Sequence, residues 1–329
     1  MSILVTGGAG YIGSHTVQAL LEQEEQVIVV DNLSTGHQNA VKNVELVQCD
    51  IRDKEALSQV FRNYNIEAVV HFAASSLVGE SMQNPGKYYD NNLYGTLCLL
   101  EIMVQHGVTK IVFSSTAATY GSPEIIPITE SEATKPTNAY GETKLAMESM
   151  MKWFDIAHGL KYVALRYFNA AGAHEKGIIG EDHQPETHLI PLILQVPLGK
   201  RDYISVFGND YDTADGTCIR DYIHVSDLAD AHIKSIHYLK SGGESAVFNL
   251  GNGNGYSVLE MINAARAVTG HPIPAKIEER RAGDPTVLVA NAQKSREILQ
   301  WEPKWTNIEE IIYSAWKWHS ANPNGYEEK

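Results

Sequence analysis

Short apolar runs punctuate the first half of the chain: Ile3-Leu4-Val5, Val27 to Val30, Leu46-Val47, Ala68 to Phe72, Ile111-Val112-Phe113 and Val163-Ala164-Leu165. They are rich in β-branched residues and nearly continuous rather than alternating with polar ones. Such strands are buried on both faces, the condition of a parallel sheet lying between layers of helices. Helical periodicity between the runs predicts helices over 14–22, 54–63, 85–106 and 139–158. The pattern is that of the α/β class, a Rossmann-type doubly wound parallel sheet. After Gly172 the rhythm loosens, with Gly, Asp and Pro gathering at 177–185, 208–216, 251–255 and 283–285. We therefore expect a first domain over 1–172, to which parts of 215–250 return. A smaller, mixed α/β domain is expected over 173–329, its loops closing over a ligand.

Composition narrows the class of ligand. The 329 residues carry 26 Lys+Arg against 40 Asp+Glu, a net charge of −14, with no basic cluster. Such a surface repels nucleic acid and anionic membranes, so any anionic ligand must be held by backbone amides and a few placed cations. No apolar stretch reaches the ~18 residues of a spanning helix, and the N-terminus lacks the pattern of a signal peptide. Cys49, Cys98 and Cys218 are odd in number and far apart, which fits a reducing cytoplasm and neither a disulfide framework nor a zinc site. His174, His183 and His188 lie close in sequence, but their spacings match no helical ligand pair, so no metal is expected.

Two constellations carry chemistry. The first apolar run passes into Gly7-Gly8-Ala9-Gly10-Tyr11-Ile12-Gly13 and then a helix, and Asp31 closes the second run. Glycines at Gly7, Gly10 and Gly13 permit a tight turn and bring a pyrophosphate close to the helix N-terminus, while Asp31 suits the adenosine ribose hydroxyls. A carboxylate there repels an added ribose phosphate, so NAD is expected rather than NADP. In the second, Tyr140 and Lys144 share a helix face one turn apart. An ammonium near a phenol favours the phenolate and makes it a general base. That spacing alone arises about once by chance in a chain of this make-up. It gains weight from Ser114-Ser115-Thr116, which ends an apolar run where doubly wound sheets bind ligands.

Together these residues resemble the extended short-chain dehydrogenase/reductases, and most closely their nucleotide-sugar epimerases. The likeness runs through Val78-Gly79-Glu80-Ser81, Tyr88 to Asn92, Arg166-Tyr167-Phe168-Asn169, Phe207 to Tyr211 and Arg220 to Val225, nearly the whole chain. It implies reversible epimerisation at C4 of UDP-glucose and UDP-galactose through a 4-keto sugar, with NAD tightly held. UDP-N-acetylglucosamine and UDP-N-acetylgalactosamine are further expected substrates. Tyr140 would then be the base, Lys144 would tune it and hold the nicotinamide ribose, and Thr116 would shape the hydrogen bond at the reacting hydroxyl.

Carried over by position, Gly7, Gly10, Tyr11, Ile12 and Gly13 become cofactor contacts, with Asp31, Asn32, Asp50 and Ile51. So do Phe72, Ala73, Ala74, Asn92, Ser114 and Phe168. For the UDP-sugar the resemblance implies Asn169, His188, Leu189, Phe207, Arg220, Tyr222, Arg281 and Asp284. Leu288 would border the sugar pocket where a bulky aromatic would crowd an N-acetyl group. Arg220 and Arg281 can fork onto diphosphate oxygens, although Arg220 could instead pair with Asp221. Ser76 and His188 depart from the Lys and Asn that some such epimerases carry. Relatives dimerise through two long helices, here 85–106 and 139–158, so a homodimer is expected.

The same scaffold serves nucleotide-sugar dehydratases and decarboxylases, and a non-catalytic NAD-binding regulator is a third reading. Elimination needs a second acid and base, usually Asp-Glu after the active-site Thr. Ala117-Ala118 stand there instead.

Overall fold

The computed structural model describes residues 1–281 and 284–326; Ala282 and Gly283, within the segment expected to hold the UDP-sugar, lie outside the described residues, as do 327–329. The chain begins β1 (Ser2–Thr6), α1 (Tyr11–Glu22), β2 (Gln26–Asp31), β3 (Glu45–Gln48), α2 (Lys54–Asn63) and β4 (Ile66–His71). It continues through α3 (Val78–Gln83), α4 (Pro85–Tyr88), α5 (Gly95–Gln105), β5 (Lys110–Ser114), α6 (Ala139–His158) and β6 (Lys161–Tyr167). The apolar runs thus all become strands.

Strand β7 (Asn169–Ala171), α7 (Leu189–Leu194), β8 (Ile204–Phe207), β9 (Ile219–His224), α8 (Val225–Lys240) and β10 (Ala246–Leu250) follow. The chain closes with β11 (Gly255–Ser257), α9 (Val258–Thr269), β12 (Ala275–Glu278), β13 (Val287–Leu288), α10 (Gln293–Leu299) and α11 (Ile308–Ala321). Seven parallel strands form the main sheet in the order β10-β6-β5-β4-β1-β2-β3, so the chain doubles back between β1 and β4. Doubly wound sheets bind ligands at such a reversal, beyond the C-terminal ends of the strands.

Alternation along the strands divides the core between the two faces. Ile3 and Val5 of β1 pack with Val17 and Leu20 of α1 and Leu228 and Ile236 of α8. Leu4, between them, packs with Leu57 of α2, Leu99 of α5 and Met147 of α6. A separate apolar cluster joins Ile190, Tyr222, Met261 and Ile311 in the second half. Strands β11, β9 and β13 and the short β7 form a small mixed sheet there.

One expected helix is broken. Over 85–106 the chain makes α4, a π-helical turn at Tyr89–Tyr94, and then α5. The wider π turn carries Asn92, fully buried. Its Oδ1 accepts from the Ser75 amide at 2.7 Å, and its Nδ2 donates to the Ser75 carbonyl at 3.0 Å. The π turn thus clamps the loop that follows β4.

Candidate active site

The glycine turn leaves no space for side chains where it packs. Gly7 has φ +71°, and a Cβ there would stand 2.5 Å from the Ala73 nitrogen; one on Gly13 would stand 2.2 Å from the Gly7 carbonyl. At Gly10 the Cβ position meets only the Gly7 carbonyl, at 3.4 Å, so the turn is open on that side. Tyr11 and Ile12 open α1, and their N–H groups precede the first intrahelical bond, which Ser14 makes to Gly10. Positive ends of amide dipoles therefore face the opening.

Asp31, at the end of β2, accepts from the Ala9 amide at 2.9 Å and the Leu33 amide at 2.8 Å. Burial pushes its pKa up, against those two bonds. Asn32 donates to Asp50 at 3.0 Å, and Arg52 pairs with the same carboxylate at 2.7 Å, bringing Ile51 beside this edge. The Arg52 hydrogen bonds hold the Asp50 carboxyl well below the usual range. Phe72 and Ala73 donate their amides to the Thr6 carbonyl, so the β4 end bearing Ala74 lies against the β1 turn. An open cradle of amides and a carboxylate one strand away fit the pyrophosphate and ribose of a dinucleotide.

The reacting end is built by three elements. Asn138 caps α6, its Oδ1 accepting from the Gly141 amide at 2.8 Å. A Cβ on Gly141 would stand 2.5 Å from the Ala118 carbonyl, so glycine lets the helix start press against the segment after Thr116. Tyr140 is thereby brought beside Thr116, whose hydroxyl acts on the phenol. Lys144, 3% exposed, donates to the Ser114 carbonyl at 2.8 Å and lies 5.8 Å from the centre of the Tyr140 ring. The Ser114 hydroxyl bonds the Tyr167 hydroxyl.

The electrostatics differ from the expectation that Lys144 lowers the Tyr140 pKa. Burial raises the phenol to about 12, opposed only by the neighbouring Thr116 hydroxyl. Burial lowers Lys144 to about 7, opposed by the Glu148 carboxylate. A shared helix face fixes where the two side chains begin, whereas the ammonium ends on a backbone carbonyl and part of its charge is lost to desolvation.

The second half supplies a wall facing this edge. Asn169 donates to the Asp221 carbonyl at 3.0 Å, and β7 pairs Asn169 with Tyr222. Arg220 pairs with Asp284 rather than with its neighbour Asp221. Asp221 points inward and accepts the amides of Asn252, Gly253 and Ala290. Successive β-strand side chains point to opposite faces, which sends the two apart. The Arg281 guanidinium stacks on the Phe207 ring at 4.0 Å. Leu288 and Phe168 pack against the cluster of Ala117, Tyr120 and Ile128 that follows Thr116, and Leu288 is in register with Arg220. His188 caps α7 ahead of Leu189 and reaches Glu181 and Glu186.

The motifs alone do not reveal a network beneath the site. Glu148 accepts from Arg166 Nε at 2.9 Å and from the Ser115 hydroxyl, and both charged side chains are less than a tenth exposed. Its sequence signal is spacing: Tyr140, Lys144 and Glu148 follow at four-residue steps along one face of α6.

Residues 3–251 match the NAD dependent epimerase/dehydratase family. A UDP-glucose 4-epimerase of Halalkalibacterium halodurans is 59% identical over 326 residues, covering 99% of this chain and 98% of that protein. A crystal structure of a UDP-glucose 4-epimerase superposes with a TM-score of 0.98 at 57% identity, covering 100% of both chains. The UDP-glucose 4-epimerase of Bifidobacterium longum, in complex with NAD+ and UDP, gives 0.93 at 42% identity, covering 99% of this chain and 100% of that one. With the glycine turn, Asp31 and the Tyr140, Lys144 and Thr116 group in these positions, the chain belongs to the UDP-glucose 4-epimerases of the NAD dependent epimerase/dehydratase family.

Proposed function

We propose that the chain interconverts UDP-glucose and UDP-galactose at C4 through a transient 4-keto sugar, with NAD held throughout the turnover. When bound, NAD supplies the two-electron acceptor and donor and a cationic ring. Tyr140 Oη takes the proton of the 4-hydroxyl and later returns one to the same oxygen. Between these events the keto sugar turns over in the pocket, so the new C–H bond forms on its other face. Thr116, beside the phenol, aligns the sugar hydroxyl with it, and Lys144 ties the end of β5 to α6 and holds the nicotinamide ribose.

The cofactor is held by the amides of Tyr11 and Ile12 at the open turn around Gly7, Gly10 and Gly13, and by Asp31, Asn32, Asp50 and Ile51. Phe72, Ala73, Ala74, Ser114 and Phe168 line its remaining length, and Asn92 acts by positioning the Ser75 loop. Arg220 and Arg281 take the UDP diphosphate, since guanidinium groups fork onto phosphate oxygens in an otherwise acidic protein. Asn169, His188, Leu189, Phe207, Tyr222 and Asp284 complete that wall, and Leu288 leaves room for N-acetylated UDP-sugars. In this reading 1–172 with 225–250 is the cofactor domain, and the rest holds the UDP-sugar. Trp153 (66% exposed) and Ile156 (65%) on α6 make an apolar face suited to a homodimer, in which α5 and α6 pair with their copies. Three free, buried cysteines suit work in the cytoplasm.

The observation that carries the reading is the meeting of Tyr140, Thr116 and Lys144 at the end of β5. Tyr140→Phe keeps the ring and removes the proton-carrying oxygen. It should retain fold and NAD while losing about 10²–10⁴-fold in turnover, the usual contribution of a general acid–base group. Epimerisation within a few fold of the parent enzyme, by product analysis, overturns the assignment.

A further inference from the structure

The segment Glu181 to His188 folds so that Glu181, His183, Glu186 and His188 face one another, with one ligand-type atom from each lying within 4.8 Å of all the others. Glu181 is buried, its side chain 4% exposed. His183 Nδ1 stands 3.1 Å from Glu181 Oε1 and 3.9 Å from Glu186 Oε2. His188 Nδ1 stands 2.7 Å from Glu181 Oε1 and 3.2 Å from Glu186 Oε1. Despite these short separations, His188 Nδ1 is buried without a hydrogen bond of acceptable geometry. Its neighbours crowd it without lying on its N–H direction.

We propose that these four residues form a binding site for one divalent first-row transition ion of the Zn2+ type. Ligand atoms about 2.1 Å from a tetrahedral zinc ion stand roughly 3.4 Å apart. The separations given above run from 2.7 to 3.9 Å and none within the group exceeds 4.8 Å, so the cage closes on an ion through side-chain shifts of about an ångström. Two imidazoles with two carboxylates suit Zn2+, Co2+ or Ni2+, whereas Ca2+ and Mg2+ favour all-oxygen shells. The carboxylates supply two negative charges for a dication. A cavity of about 280 Å³ lined by Glu181, His183, Glu186 and His319 gives the ion a route in. Nothing in the linear spacing shows this, because the four residues lie in a loop ahead of α7 instead of on one helix.

The ion would cross-link that loop to the start of α7 beside the cofactor turn, since the His183 ring lies edge-on to Tyr11 at 6.1 Å. The competing explanation is an ion-pair network that needs no metal. Equilibrium dialysis of the chelator-washed, NAD-loaded protein against micromolar Zn2+, followed by metal analysis, separates the two. The expected result is one Zn2+ per chain, with at least tenfold weaker binding in both His183→Ala and Glu186→Gln. Far-UV circular dichroism and NAD content report whether each variant is folded. Glu186→Gln keeps the side-chain shape and carries the test should His183→Ala misfold. Failure of the parent protein to bind Zn2+, or parent-like binding in folded Glu186→Gln, overturns the proposal.

Discussion

Replacing Glu148 with Gln preserves the side-chain shape and removes one charge from the pair beneath the active site. Glu148 and Arg166 are 6% and 7% exposed, and no other carboxylate pairs with Arg166 among the described residues. The guanidinium keeps its stacking on Tyr120 at 4.8 Å, but its buried charge is no longer neutralised. Breaking one side of such a pair costs about 3–5 kcal/mol, because the surviving charge stays desolvated. Unfolding entropy of about 2.1 cal/mol/K per residue amounts to roughly 0.7 kcal/mol/K for the whole chain, so Tm should fall by roughly 4–7 °C. Glu148→Gln combined with Arg166→Met removes both charges and should recover most of that loss. Thermal melts of the three proteins under one buffer decide the matter. A single variant melting within a degree of the parent, or a double variant no better than the single, would falsify the reasoning.

Two further outcomes follow from the site. Lys144 releases its proton near pH 7 when folded and near pH 10 when unfolded, so the unfolded chain binds more protons in that window and stability rises with pH across it; Lys144→Met should flatten the rise in denaturation midpoint, and a slope equal to the parent's refutes the shift. Leu288→Tyr places an aromatic ring in the cluster shared with Phe168 and Ala117, so turnover of UDP-N-acetylglucosamine should drop at least tenfold more than that of UDP-glucose, and equal losses in a side-by-side assay refute the gate.

The main sheet was legible because burial on both faces writes itself into nearly continuous apolar strands. Helices over 54–63 and 139–158 were equally plain, since polar and apolar faces alternate there at helical spacing. The π turn at Tyr89–Tyr94 was not, because one extra residue per turn leaves the local periodicity almost unchanged while rotating Asn92 into the core. Strand β10 and helix α8, far along the chain, rejoin the first sheet and its helix layer. Arg220 and Asp221 show the limit of adjacency: neighbours on a strand point apart, and each found its partner in a distant segment.

Tyr140 and Lys144 illustrate the same limit within the candidate chemistry. Four-residue spacing on a helix fixes a common face, but a lysine has four rotatable bonds with which to choose its contact. Here it spans from α6 to the Ser114 carbonyl, fastening the base-bearing helix to the strand whose end carries Thr116. That contact constrains where Tyr140 can stand, while burial lifts its phenol further above its ordinary pKa of 10.0 and so makes deprotonation harder. Positioning and activation are therefore separate demands on this pair, and the chain's own residues meet the first. Activation needs positive charge at the phenol, which the lysine's placement supplies only weakly and which a cationic cofactor ring would add. The tight glycine turn and the close approach at Gly141 consequently belong to one design: both narrow the distance between elements that must share a single small volume.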